Sequence, residues 1–210
     1  RGTGSDTSTA CAACLGGYYS SGVNNDNCSK CSRGKSSVTV QATSSTTCVS
    51  CASGTYAANK ASTSCVTVTA GSYASIDGVT PVNLEADEEV LCVAGTFSAA
   101  GASACTGCAT GTYSNSAGAS NTCTTTTAGF FPSIDGVTDV AASANQQVAC
   151  ATGTFSAAGD ASCTSCGTGY TTAATQTSGT VAQTACICDI AYGRASNAAA
   201  CEKCTSGFYK

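Results

Sequence analysis

The chain contains no histidine, no methionine and no tryptophan, and its 210 residues include only two prolines, three leucines and four isoleucines. Without histidine, no Ser/His/Asp or Cys/His nucleophile can be assembled, and the few spaced carboxylates form no general acid-base pair. No phosphate-cradling Gly-rich loop is present either. The reading is therefore not an enzyme, and no cofactor is implied. No apolar run approaches the roughly 18 residues that a bilayer span needs. The eight Lys and Arg residues form no cluster, and twelve Asp and Glu residues bring the net charge to -4, so nucleic acid is not an expected partner. Neither a start methionine nor a signal peptide is present, and the chain reads as a mature ectodomain or a window of something longer.

Scarcity of large side chains also limits the core. The hydrophobic fraction of 42% is mostly Ala, Val and Cys, which cannot fill a shared interior. Something else must hold the chain, and 18 cysteines supply it. A cysteine density of this order marks a disulfide scaffold made in an oxidising compartment, which places the chain at the cell surface or outside the cell.

The cysteines follow one small module. It opens with Cys, places Gly three residues later and an aromatic four or five residues later, and runs through small polar residues to a closing Cys. Openings fall at Cys14, Cys31, Cys51, Cys92, Cys108, Cys150, Cys166, Cys188 and Cys204, and closures at Cys28, Cys48, Cys65, Cys105, Cys123, Cys163, Cys186 and Cys201. Two residues separate a closure from the next opening, except at Cys186-Ile187-Cys188, where there is one. All 13 aromatic residues obey the rule. A period of this length calls for a repeat array.

Residues 66–91 and 124–149 lack cysteine but keep the Gly and the aromatic in AGSYASIDGVT (70–80) and AGFFPSIDGVT (128–138). Counting from those glycines and from Cys92 and Cys150, Val68 and Thr126 stand at missing openings, Glu89 and Gln147 at missing closures. The joint absence of both cysteines predicts bonding within modules: Cys14 to Cys28, Cys31 to Cys48, Cys51 to Cys65, Cys92 to Cys105, Cys108 to Cys123, Cys150 to Cys163, Cys166 to Cys186 and Cys188 to Cys201. A longer repeat lies on top, because residues 68–108 match 126–166 at an offset of 58. The organisation is short modules over 1–67, a first super-repeat over 68–125, a second over 126–187, and a terminal module and half-module over 188–210.

The expected fold is small and disulfide-rich, mostly irregular or short β-hairpins with little helix, in an elongated tandem-repeat rod with mainly nearest-neighbour contacts. The segment VTVTAGSY reads as short strands, and Asp77-Gly78 and Asp135-Gly136 as turns. Each disulfide loop of 12 to 19 residues contributes about 3 kcal/mol in the chain-entropy model. The module from Cys31 has no aromatic and that from Cys188 has Ala191 in place of Gly, so these two should be the looser ones.

Candidate sites are few. Cys11-x2-Cys14-x13-Cys28-x2-Cys31 approaches zinc-ribbon spacing, but many cysteines fall outside any four-ligand group, which favours disulfides and no metal. The run Glu85-Ala86-Asp87-Glu88-Glu89 could draw calcium. Its counterpart at 143–147 reads Ser-Ala-Asn-Gln-Gln, which favours a solvated face. Thr124, Thr125, Thr126 and Thr127 are candidate O-glycan acceptors, as is the run 44–47, and Asn27 lies in the sequon Asn27-Cys28-Ser29. Two cysteines are left over. Cys11 looks like a closure and Cys204 like an opening, so the chain ends are complementary halves of one module. Joined, they enclose 16 residues. This makes Cys11 and Cys204 an inter-protomer or array junction, through copies joined head to tail or through further repeats of the same chain, in preference to an internal Cys11 to Cys204 bond, which would require the rod to bend back on itself.

The pattern Cys-x2-Gly-x-Tyr/Phe-x7–9-Cys, followed by two residues, resembles the single-disulfide modules of tumour-necrosis-factor-receptor and ephrin-receptor-like cysteine-rich repeats. With its Ala/Ser/Thr/Gly filling, the chain over residues 11–210 is most similar to the tandem repeats of ciliate surface (immobilisation) antigens. The resemblance implies an extracellular surface protein. Because the aromatics are used by the repeat itself, the reading is a structural protein, a rod-like protomer of a surface coat or head-to-tail filament. The alternative is a ligand-binding cysteine-rich receptor ectodomain, which would break the repeat with one distinctive face.

Overall fold

The computed structural model describes residues 12–22, 27–172, 186–189, 192–193 and 201–204. Among these the regular structure is ten two-stranded sheets and one three-residue 3-10 turn, Ser45–Thr47. Most strands are two residues long. Tyr18–Tyr19 pairs antiparallel with Ser29–Lys30, Thr55–Tyr56 with Val66–Thr67, Thr112–Tyr113 with Thr124–Thr125, and Thr154–Phe155 with Thr164–Ser165. The two residues between modules are thus the return strand, paired with the two residues after the conserved Gly. That pairing fixes the spacer at two, and its Thr and Val suit an extended backbone. At the shortened spacer the cysteines themselves are drawn in, and Cys186–Cys188 pairs with Tyr170–Thr172.

Eight disulfides join the opening and closing cysteine of one module each. The opening cysteines Cys14, Cys31, Cys51, Cys92 and Cys108 are buried and their closing partners half-buried; Cys150 and Cys166 are half-buried, and the closing Cys186 is buried. Val68 and Thr126 are buried at the same place in the frame. Around Val68 lies a small apolar cluster with Ala74 and Ala86, flanked by Tyr56 and Val82.

The described residues fall into two compact bodies. The first contains the modules up to Val90 together with Gly101–Ala104, and the second contains Ala70–Ser72 and the modules from Leu91 on. Within each body the modules mesh through main-chain atoms. The N–H at an opening position donates to the carbonyl of the preceding module's Gly. In the first body these bonds run from Cys31 to Gly17, Cys51 to Gly34 and Val68 to Gly54, at 2.8, 2.8 and 3.0 Å. In the second they run from Cys92 to Gly71, Cys108 to Gly95, Thr126 to Gly111, Cys150 to Gly129 and Cys166 to Gly153, at 2.8 to 2.9 Å. Val68 and Thr126 make the bond that an opening cysteine makes elsewhere, so the disulfide-free hairpins share the frame of their neighbours.

Contacts also reach the second module along, which corrects the nearest-neighbour expectation. Gly54 has φ +74°, and a Cβ there would lie 1.8 Å from the Gly101 carbonyl oxygen, two modules on. The same overlap recurs at Gly17 under Ala61, Gly34 under Glu85, Gly71 under Gly118, Gly95 under Ser143 and Gly111 under Gly159. The conserved Gly therefore answers to a packing demand as well as to a turn. The upper residue of each pair is itself left-handed, and its N–H donates to the opening position of the module between, as from Ala61 to Cys31 at 2.9 Å.

The module from Cys31 is not looser than its neighbours. It makes the same main-chain bonds, and Lys35 and Ser36 take the strand positions that aromatics occupy elsewhere. For the module from Cys188, most of the loop and Ala191 lie outside the described residues.

Candidate functional site

The two disulfide-free hairpins depart most from the repeat. Their strands are four residues long instead of two: Ser72–Ser75 with Glu88–Leu91, and Phe130–Ser133 with Gln146–Ala149. In the second, Phe130 faces Ala149 and Phe131 faces Val148, the pairs an ordinary module has, and Pro132 with Gln147 and Ser133 with Gln146 extend the ladder. The added pairs lie at and beyond the position of the missing closure.

Side chains complete the closure. Glu89 accepts the Thr69 N–H at 2.7 Å on Oε1, together with the Thr69 hydroxyl, and accepts the Tyr56 hydroxyl at 3.1 Å on Oε2. In the second hairpin Gln147 Oε1 accepts the Thr127 N–H at 2.9 Å and the Thr127 hydroxyl at 3.2 Å. A hydrogen-bonded clasp thus joins the missing closure to the residue after the missing opening. Burial, followed by the Glu89 carboxylate, raises the Tyr56 phenol above its ordinary value. Residue-type reading missed the clasp. Its signal is a matched pair, Thr after the absent opening with Glu or Gln at the absent closure, seen twice.

Thr126 uses its hydroxyl within the fold. It donates to the Gly111 carbonyl at 3.1 Å and accepts the Gly159 N–H at 3.3 Å. Thr126 is therefore withdrawn as a glycan acceptor, because a buried and bonded hydroxyl cannot carry a sugar without opening the hairpin. Thr124, Thr125, Thr127 and Asn27 are exposed.

The acidic run disperses to separate partners. Glu85 accepts the Ser50 hydroxyl at 2.7 Å and pairs with Lys35 at 2.9 Å, and these two contacts, in that order, lower its carboxyl. Asp87 stands 4.0 Å from Arg33, and Glu89 closes its hairpin. Arg33 and Lys35 belong to the module two places earlier, the one without an aromatic. The acids answer those cations. Two modules before the second hairpin, Ala94 and Thr96 occupy the cation positions, and within that hairpin Ser143 and Asn145 replace Glu85 and Asp87.

Both hairpins end in the same SIDGVT tip. Asp77 Oδ1 accepts the Thr80 and Val79 N–H groups at 2.6 and 2.9 Å, and Ser75 donates to it at 3.1 Å. Asp135 is held by the Thr138 hydroxyl and by the Thr138 and Val137 N–H groups at 2.8 and 2.9 Å. These donors hold both carboxyls well below the usual carboxylate range, led by the Thr80 N–H at Asp77 and the Thr138 hydroxyl at Asp135. The tips leave Ile76, Val79, Ile134 and Val137 exposed.

Three of the four cysteines of the zinc-like group are accounted for differently: Cys14 bonds Cys28, and Cys31 bonds Cys48. Cys11 lies outside the described residues. Cys204 is half-buried and in no disulfide. A cleft of about 240 Å³ lies beside Phe131, Val137, Asp139 and Ala151, below the roughly 300–1,000 Å³ of small-molecule sites. No helix among the described residues is long and apolar enough to cross a membrane. No protein-family model and no curated protein matches the chain.

Proposed function

We propose that the chain is an extracellular structural protein, part of a surface coat or of a filament in which copies or further repeats join end to end. The observation that carries this reading is the interface between modules. It uses main-chain N–H and carbonyl groups around a glycine, repeated with the same partners in each body. An interface independent of side-chain identity can be reused by any module of the same kind, including one supplied by another copy, and that property favours an array. Cys204, in no disulfide and placed as an opening cysteine, supplies the covalent half of such a junction, with a closure of the Cys11 kind as its partner. Exposed Thr124 and Thr125 and the many Ser and Thr residues suit a glycosylated surface.

Negative-stain imaging of native material, combined with non-reducing electrophoresis, tests the reading. Filaments or sheets, with a ladder that collapses on reduction or a very high mass that survives it, support the array. Dispersed monomers that contain no free thiol contradict it.

A further inference from the structure

Disulfides divide this chain, under tension, into parts that cannot lengthen and parts that can. In eight modules the opening and closing cysteines are bonded across sequence separations of 13 to 20 residues. A pull along the chain crosses each such bond directly and leaves the enclosed loop unloaded. Between Cys65 and Cys92, and between Cys123 and Cys150, no bond short-circuits the path. There the whole load passes through residues 66–91 and 124–149.

What resists the load in those stretches is non-covalent: a four-pair ladder, the Thr127 to Gln147 or Thr69 to Glu89 clasp, and the main-chain bonds of Val68 and Thr126. Both feet of each hairpin lie side by side at the base of its ladder. Tension therefore loads the Phe130 to Ala149 pair first and the inner pairs in turn, so the ladder opens one step at a time. We propose that the two disulfide-free hairpins are force-released length reserves, yielding under end-to-end load while every disulfide module keeps its length. Each reserve holds about 90 Å of chain at ~3.4 Å per residue, less the span that the folded hairpin covers. This property belongs to the chain itself and does not depend on coat or filament assembly.

The two reserves are held by different ties. Hairpin 66–91 has Lys35 to Glu85 at 2.9 Å, Arg33 to Asp87 at 4.0 Å and the Tyr56 hydroxyl to Glu89, whereas hairpin 124–149 has the Thr126 hydroxyl between the Gly111 carbonyl and the Gly159 N–H, and the Thr110 hydroxyl on the Ala141 carbonyl at 2.8 Å. High salt therefore lowers the yield force of hairpin 66–91 by screening its exposed pairs and leaves that of hairpin 124–149 unchanged.

Stretching the oxidised full chain by its ends in an optical trap tests the proposal. Two steps of equal released length are expected. A cysteine pair at Thr126→Cys and Gln147→Cys should remove one step, and one at Val68→Cys and Glu89→Cys the other, the new bond in each case being verified by mass. Gln147→Ala, which needs no new bond, should keep both steps and lower the force of one of them. Elongation without such steps, steps that survive the verified cross-links, or unchanged forces in Gln147→Ala would overturn the proposal.

Discussion

The hairpins at 68–89 and 126–147 occupy the same frame and end in the same SIDGVT tip, yet one is held by charge and the other by neutral groups. Where the first places Glu85, Asp87 and Glu89, the second places Ser143, Asn145 and Gln147. The difference is dictated two modules away. Arg33 and Lys35 stand in the module without an aromatic, and the acids at 85 and 87 meet them. Read in isolation, the acidic run invites a metal. Glu85, Asp87 and Glu89 instead take separate protein partners. Glu89 and Gln147 share one task, the clasp, which an acid or an amide can perform because both offer an acceptor oxygen.

Substitutions can break or sharpen this comparison, and the largest effect is expected at Gly54. Gly54→Ala places a Cβ 1.8 Å from the Gly101 carbonyl at φ +74°, and should prevent recovery of the native disulfide set on oxidative refolding. Gly118→Ala has a similar φ but meets the flexible Leu91 side chain at 3.1 Å and the Gly71 carbonyl only at 4.0 Å, so it should cost about 1–2 kcal/mol. Equal losses at the two sites would contradict the packing across two modules.

Removing a disulfide should come next. Cys51→Ala with Cys65→Ala is expected to cost about 3 kcal/mol in urea unfolding, against about 1–2 kcal/mol for Glu89→Ala, which loses hydrogen bonds to a charged acceptor. The disulfide-free hairpin should lose less because its longer ladder shares the closure. An equal loss from Glu89→Ala would show that the added ladder pairs carry nothing.

Charge removal should have a smaller effect still, and one that depends on salt. Glu85→Ser with Asp87→Asn converts the first hairpin toward the second, and its destabilisation, followed by hydrogen exchange of residues 88–91, should vanish at high salt. A salt-independent loss would mean that these residues act by packing. The smallest effect concerns pH. Asp77 and Asp135 have depressed carboxyls in the folded state, so their contribution is complete above the ordinary value near ~3.9 and is lost as the pH falls through the lower folded values. Amide shifts of Thr80 and Thr138 should hold steady from neutral pH down to about 4 and move only below it. Movement in the ordinary carboxylate range would contradict the clamped tip.

The regular part of this architecture was legible because it depends on spacing. A closing cysteine, two residues and an opening cysteine were visible as a rule, and so were Gly and an aromatic at fixed distances from the opening. The structure adds the reason: the spacer is the return strand of a two-residue ladder. Val68, Thr126, Glu89 and Gln147 could be assigned as stand-ins by counting, because main-chain bonds keep the register when the cysteine is gone. Counting does not show what Glu89 and Gln147 bond, since their partner Thr residues lie about twenty positions earlier with no intervening pattern. Nor does a module motif show contacts two modules on, which arise from how left-handed loop residues lie over earlier glycines. Thr126 illustrates the same limit. Within a Thr run it looks like a surface acceptor, and only its place in the frame makes it a buried spine residue.

The claim that most of this rests on is that the disulfide-free hairpins are the same module closed by other means. It is tested most directly by restoring cysteine at Val68 and Glu89 and oxidising the protein under conditions that preserve its eight native bonds. The account predicts that the new pair closes on itself, leaves the other pairs unshuffled and stabilises the hairpin by up to about 3 kcal/mol. Two free thiols at these positions in an otherwise native protein would contradict it.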